Sequence, residues 1–188
     1  MKNKNHEILM HIVTVGLMSA LVYVGNFMQI KIPNGTLVTR IHLGNSMCLL
    51  AGLLFGHIRG GLSSGIGAAL YDLFDPVYIT SAPYTFFSKF MMGFTAGILR
   101  RKGNAKANVI LAAVLGQAVY IILYLGKTFV SQLLLGEPVA VAAKLASVNL
   151  LTSSINAVLA VLIAVPLYFA LEKALRKTSF GSLIAGNA

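Results

Sequence analysis

Two sets of polar side chains stand inside otherwise apolar stretches of this chain, each with the spacing of a helix face. Asn149, Ser153 and Asn156 recur at i, i+4 and i+7. Tyr120, Tyr124 and Lys127 follow the same spacing. Three further groups accompany them: Asn45, with Arg40 and His42 just before it, then Tyr84, then Lys89. Amides, phenols and isolated cations hydrogen-bond and stack. They suit the non-covalent holding of a small, flat, polar ring or of a carboxylate. Bonds between helices and a tyrosine belt at a membrane interface are the alternative for any one of them. Taken together, Asn45, Tyr84, Lys89, Tyr120, Tyr124, Asn149, Ser153 and Asn156 point to a walled pocket. Lys89 stands about five residues into its helix. There it snorkels, pairs with Asp72 or Asp75, or meets a ligand.

Other chemistries lack their parts. There is no Gly-x4-Gly-Lys-Ser/Thr loop to cradle a nucleotide phosphate. There is no His-Glu-x2-His motif for a metal. Ser63 and Ser64 sit beside glycines without a base near them in sequence, and the single Cys48 has no partner for a disulfide or a structural metal site. The chain has five acids, and Asp72 and Asp75 stand at a loop, so the mid-membrane carboxylate of an ion-coupled carrier is missing. The expectation is therefore a binding protein, with no cofactor, no catalysis and no energy source of its own.

The elements that position these groups are set by blocks of missing charge. Of the 188 residues, 57% are hydrophobic and 11% charged, where a soluble domain carries about 25% charged residues. Ile8 to Ile30, Ala107 to Gly126 and Leu145 to Leu171 contain no Lys, Arg, Asp or Glu. Each is long enough to cross a hydrocarbon core of about 30 Å. The first run is too long for a signal-peptide core and lacks a small-x-small cleavage site, so it reads as a retained helix.

The pattern predicts an all-α, polytopic bundle in a single membrane domain, 1–188. Six transmembrane helices are expected at about 8–29, 43–57, 61–71, 84–99, 108–129 and 147–171. Loops are expected at Lys31–His42, with Pro33, Asn34 and Gly35 as a turn signal, and at Asp72–Pro83. Pro166 is expected to kink the last helix, and Glu172–Ala188 to form a tail. Six spans put both termini on one side. That side gathers Lys2, Lys4, Arg59, Arg100, Arg101, Lys102, Lys106, Lys173, Arg176 and Lys177, against Lys31, Arg40, Lys89, Lys127 and Lys144 on the other. The bias places the termini in the cytoplasm. A net charge of +10 distributed at the ends of apolar runs fits a lipid surface and excludes nucleic acid.

Small residues mark the helix contacts. Gly52-x3-Gly56, Gly61-x3-Gly65-x3-Ala69 and Gly93-x3-Gly97 allow the second, third and fourth segments to pack closely. Gly16-x3-Ala20 gives the first segment a smooth face, which either packs internally or docks another membrane subunit.

The blocks IHLGNSM at 41–47, GLLFG at 52–56, GGLSSGIGAALYDL at 60–73 and APYTFFSKFMMGFTAG at 82–97 resemble the substrate-binding S components of energy-coupling factor (ECF) vitamin transporters. They are most similar to the branch associated with hydroxymethylpyrimidine, pyridoxine and riboflavin-type substrates. The resemblance implies a subunit of a bacterial plasma membrane that captures a small vitamin from outside. It would act with a transmembrane T subunit and two ATPase subunits, toppling in the membrane as ATP is used. It also implies that Gly16 and Ala20 stand where the family carries an Ala-x3-Ala docking motif. The Lys31–His42 loop, with Arg40 and His42, would lid the pocket, and the ends of the last three helices would line it. Hydroxymethylpyrimidine or pyridoxine is the expected substrate, with pantothenate and riboflavin also met by Tyr, Asn and Lys. A self-sufficient secondary carrier or channel for a small polar solute is the alternative.

Overall fold

In the computed structural model, which describes residues 4–34, 37–101 and 106–178, six α-helices and one β-hairpin follow one another. They are α1 (Lys4–Phe27), β1 (Gln29–Asn34), β2 (Leu37–His42), α2 (Gly44–Phe55), α3 (His57–Phe74), α4 (Ala82–Arg101), α5 (Lys106–Leu134) and α6 (Val139–Leu175), with a short 3-10 turn at Ile79–Ser81 before α4. Lys2, Gly35, Lys102 and the tail beyond Thr178 lie outside the described residues.

α1, α5 and α6 are long and apolar enough to cross a membrane. Their outward faces carry large apolar side chains open to the surroundings, among them Ile12, Leu17, Ile122, Leu151 and Leu162. A patch of this extent is untenable in water and natural in lipid. The chain is a helical, multi-pass membrane protein.

α2 is different. All of its residues but Met47 are buried. Twelve residues make a helix of about 18 Å, short of the ~30 Å hydrocarbon thickness. It is apolar on all sides because it packs against α1, α3, α4, α5 and α6. Only Gly56 separates α2 from α3, and its φ of 81° is a backbone conformation that favours glycine. The helix break therefore falls at Gly56 rather than at the expected 58–60.

Close approach holds α2, α3 and α4 together. A Cβ added to Gly93 would lie 2.5 Å from Ser64 Oγ and 2.6 Å from the Gly60 carbonyl. One added to Gly52 would collide with the Gly93 carbonyl oxygen. Ser64 Oγ donates to the Gly60 carbonyl at 2.7 Å and lies 3.1 Å from the Cys48 carbonyl, and Ser63 Oγ donates to the Arg59 carbonyl at 2.7 Å. Both serines thus serve helix packing.

The segment expected as a loop, Lys31–His42, joins Gln29 and Ile30 in an antiparallel hairpin, with Gln29 opposite His42 and Asn34 opposite Leu37. Alternation through Ile30, Lys31 and Ile32, and the β-branched Val38, Thr39 and Ile41, favour strand. Pro33 is tolerated because each strand of a two-stranded ribbon has a free edge. The other differences are of length. α6 starts eight residues earlier than the expected 147 and runs through Pro166 to Leu175 as one helix.

At the end of the bundle away from the hairpin, Arg100 is buried. Its Nε donates to Tyr168 Oη at 2.8 Å, and its Nη2 lies 3.3 Å from Glu172 Oε1. Arg100 thus ties α4 to α6 at that end, where Glu172 also holds Arg176 at 2.8 Å.

Candidate functional site

The hairpin, the α3–α4 segment, α4, α5 and the first half of α6 converge on a cavity of about 200 Å³. Its wall includes Arg40, His42, Tyr84, Tyr120, Tyr124, Asn149, Ser153 and Asn156, so the structure brings together eight of the ten residues expected at the pocket and its loop. Asn45 and Lys89 lie beneath the wall.

The hairpin is fastened over the cavity by charge and by an amide. Arg40 Nη2 lies 2.6 Å from Asp72 Oδ1 at the end of α3. Its guanidinium stacks 4.1 Å from the centroid of Tyr78 and 5.1 Å from that of Tyr71. Burial disfavours the Arg40 charge, but Asp72 outweighs it and holds the guanidinium above its ordinary value. Lys31 Nζ meets Asp75 Oδ2 at 2.7 Å. Burial pushes the Asp75 carboxyl up, yet the Lys31 ammonium and the Val77 N–H hold it below the usual carboxylate range. Gln29 Nε2 donates to Tyr71 Oη.

Asn156 completes the fastening from α6. Its Oδ1 accepts the His42 backbone N–H at 2.9 Å, and its Nδ2 donates to the Arg40 carbonyl at 2.7 Å. The side-chain amide thus pairs with β2 much as a neighbouring strand would. His42 is buried, and burial first, then Lys89 and Arg40, hold its imidazole well below its ordinary value. These surroundings favour its neutral form.

The opposite wall is aromatic. The Tyr120 and Tyr124 rings stack at 5.8 Å with 15° between their planes. Tyr84 Oη donates to the Leu123 carbonyl at 2.5 Å, which pins its ring against α5. Lys127 Nζ donates to Ser81 Oγ at 2.6 Å and lies 5.8 Å from the Tyr84 centroid. Asn149 Nδ2 donates to Thr128 Oγ1 at 3.2 Å, linking α6 to α5.

Lys89 is 2% exposed. Its Nζ donates to Asn45 Oδ1 and sits 3.6 Å from the Tyr120 centroid, on the ring face. Of the three expectations for this residue, the structure excludes snorkelling and excludes an ion pair with Asp72 or Asp75. Those carboxylates are engaged by Arg40 and Lys31.

Tyr78 and Ser81 also line the cavity, and sequence reasoning did not single them out. They stand in the irregular α3–α4 segment, where no periodicity reports orientation. Lys127 lines the cavity on the stripe it shares with Tyr120 and Tyr124, and Asp72, expected only as a partner for Lys89, joins the wall together with Thr85. This assembly can hold and orient a small polar ligand.

Gly16 and Ala20 are exposed, on an apolar groove of about 800 Å³ between α1 and α3. A Cβ added to Gly16 meets nothing within 4 Å.

The sequence matches the family described as "ECF-type riboflavin transporter, S component" over residues 8–173. A protein of Pyrococcus woesei, described as "Uncharacterized protein in gap 3'region", is 30% identical over 115 residues, which is 61% of this chain and 74% of that protein.

Proposed function

Because the chain belongs to the family of ECF-type riboflavin transporter S components, we propose that it captures a small vitamin or vitamin precursor from outside the cell for ATP-driven uptake. One observation carries the reading. A cavity walled by stacked tyrosines and hydrogen-bonding side chains is closed over by a hairpin held through Arg40, Lys31 and Asn156. The aromatic faces suit a flat ring, and the surrounding amides and hydroxyls suit ring nitrogens and hydroxyl substituents. A pyridine or pyrimidine ring of the pyridoxine or hydroxymethylpyrimidine kind agrees with the modest volume. The family's description favours riboflavin as a second reading.

In this reading α1 to α6 are six membrane crossings in one domain, α2 and α3 reaching across with the help of their neighbours. Both termini lie in the cytoplasm, and the hairpin faces the exterior of the cell membrane. The open groove bearing Gly16 and Ala20 is the surface for a T subunit, which two ATPase subunits drive. A self-sufficient carrier is disfavoured because the acids near the cavity are held in ion pairs of the hairpin.

The test is calorimetric binding of pyridoxine, hydroxymethylpyrimidine, pantothenate and riboflavin to the purified chain without an ion gradient. Saturable one-to-one binding of one of them is expected. Uptake by the chain alone in proteoliposomes, collapsing with the gradient, would replace this reading by the carrier.

A further inference from the structure

We infer that the occupant of the cavity is a charged relative of the flat rings named above, carrying an oxyanion, a carboxylate or a phosphate, which Lys127 receives at the mouth. This rests on the reading of the cavity as a capture site.

The inference comes from an imbalance of charge. The chain has five acids. Asp72 holds Arg40 and Asp75 holds Lys31. Glu172 is at the far end with Arg100 and Arg176. Glu7 begins α1, and Glu137 stands exposed between α5 and α6. Among the described residues, no carboxylate lies within 4 Å of Lys89 or Lys127. One lysine is buried beneath the Tyr120 ring and the other is half-buried on the wall. Removing an ammonium from water without a counter-charge is costly, and a bound anion offsets that cost.

The geometry favours Lys127 as the direct partner. Lys89 is roofed by Tyr120, and its Nζ already donates to Asn45. Lys127 donates to Ser81 Oγ at 2.6 Å, and an ammonium has three donors. Two remain, and the Ser81 hydroxyl, accepting from Lys127, can turn its own proton toward the same oxyanion. Tyr120 and Lys127 are seven positions apart on α5, about 10 Å along the axis. A ring lying against Tyr120 and Tyr124 therefore places a substituent of ordinary length within reach of Lys127.

The test uses matched pairs on the purified full-length chain at pH 7.5: nicotinate against nicotinamide for the carboxylate, and pyridoxine 5′-phosphate against pyridoxine for the phosphate. In one pair the charged member is expected to bind about tenfold or more tightly, and that pair identifies the oxyanion. Lys127→Gln is expected to erase the preference, so that the two members of the pair bind alike, and Lys127→Arg to retain it. Neutral members that bind as tightly as the charged ones in both pairs overturn the oxyanion and leave the capture reading standing. A preference that survives Lys127→Gln overturns the role of Lys127. If none of these four ligands nor any of the vitamins named above binds, both readings fall.

Discussion

Two concave regions of the molecule are built on opposite principles. In the polar cavity and beneath its wall, side chains and backbone from six elements hold one another: Arg40 with Asp72, Asn156 with β2, Asn149 with Thr128, Lys89 with Asn45. In the groove between α1 and α3, the lining is almost wholly apolar and shallow, and Gly16 leaves an open surface. The contrast separates two uses of glycine in one membrane protein. Gly52 and Gly93 are small because another backbone is already there. Gly16 is small with nothing against it.

The largest effect that sharpens this comparison is Gly52→Leu. Its side chain would have to displace the α4 backbone at Gly93, an overpacking without room to relax. No monodisperse protein is expected on size-exclusion in detergent. Gly16→Leu, by contrast, is expected to leave the melting temperature and the ligand dissociation constant unchanged. Together with Ala20→Leu, it is expected to abolish uptake when the chain is co-expressed with its transport partners. Normal uptake in both variants would remove α1 from the docking surface, and unfolding of Gly16→Leu would erase the distinction.

A smaller effect is expected at Asn156→Ala. One buried and one partly buried hydrogen bond to the hairpin backbone are lost, and ligand should dissociate roughly 10 to 100 times faster in a stopped-flow chase. An unchanged off-rate would detach the hairpin from retention of the ligand.

The smallest effect is in acid. A carboxyl whose folded value is depressed contributes stability above its unfolded value and loses it as pH falls through the folded one. For Asp75 that window lies below about pH 4, and it opens the Lys31 pair at the edge of the hairpin. Lys31 is 42% exposed, so salt screens much of the effect. Asp75→Asn should flatten the acid limb of the melting curve slightly, and an unaltered limb would assign the acid sensitivity elsewhere.

The helical faces of the site were legible because period 3.6 reports direction. Tyr120, Tyr124, Asn149 and Ser153 share one cavity wall as their spacing requires. What spacing cannot report is which partner a polar group finds. Asn156 was legible as inward-facing, but nothing in the sequence indicated that β2 would occupy both ends of its amide. Lys89 invited a pairing with Asp72 or Asp75, and Arg40 and Lys31 compete better for those carboxylates because the hairpin delivers them there. The hairpin itself was hidden by brevity. Six residues per strand, one of them Pro33, give too few repeats of period two to outweigh a Pro-Asn-Gly turn signal.

The enclosure of α2 bears on how the chain is made. A stretch of twelve residues is too short to be held by the bilayer alone, and it carries Asn45 and Ser46 at its start. It gains a stable place when α3, joined to it through Gly56, and then the later helices close around it. Its full burial therefore requires α4, α5 and α6, which are synthesised after it. The innermost helix is thus enclosed by segments that follow it in the chain.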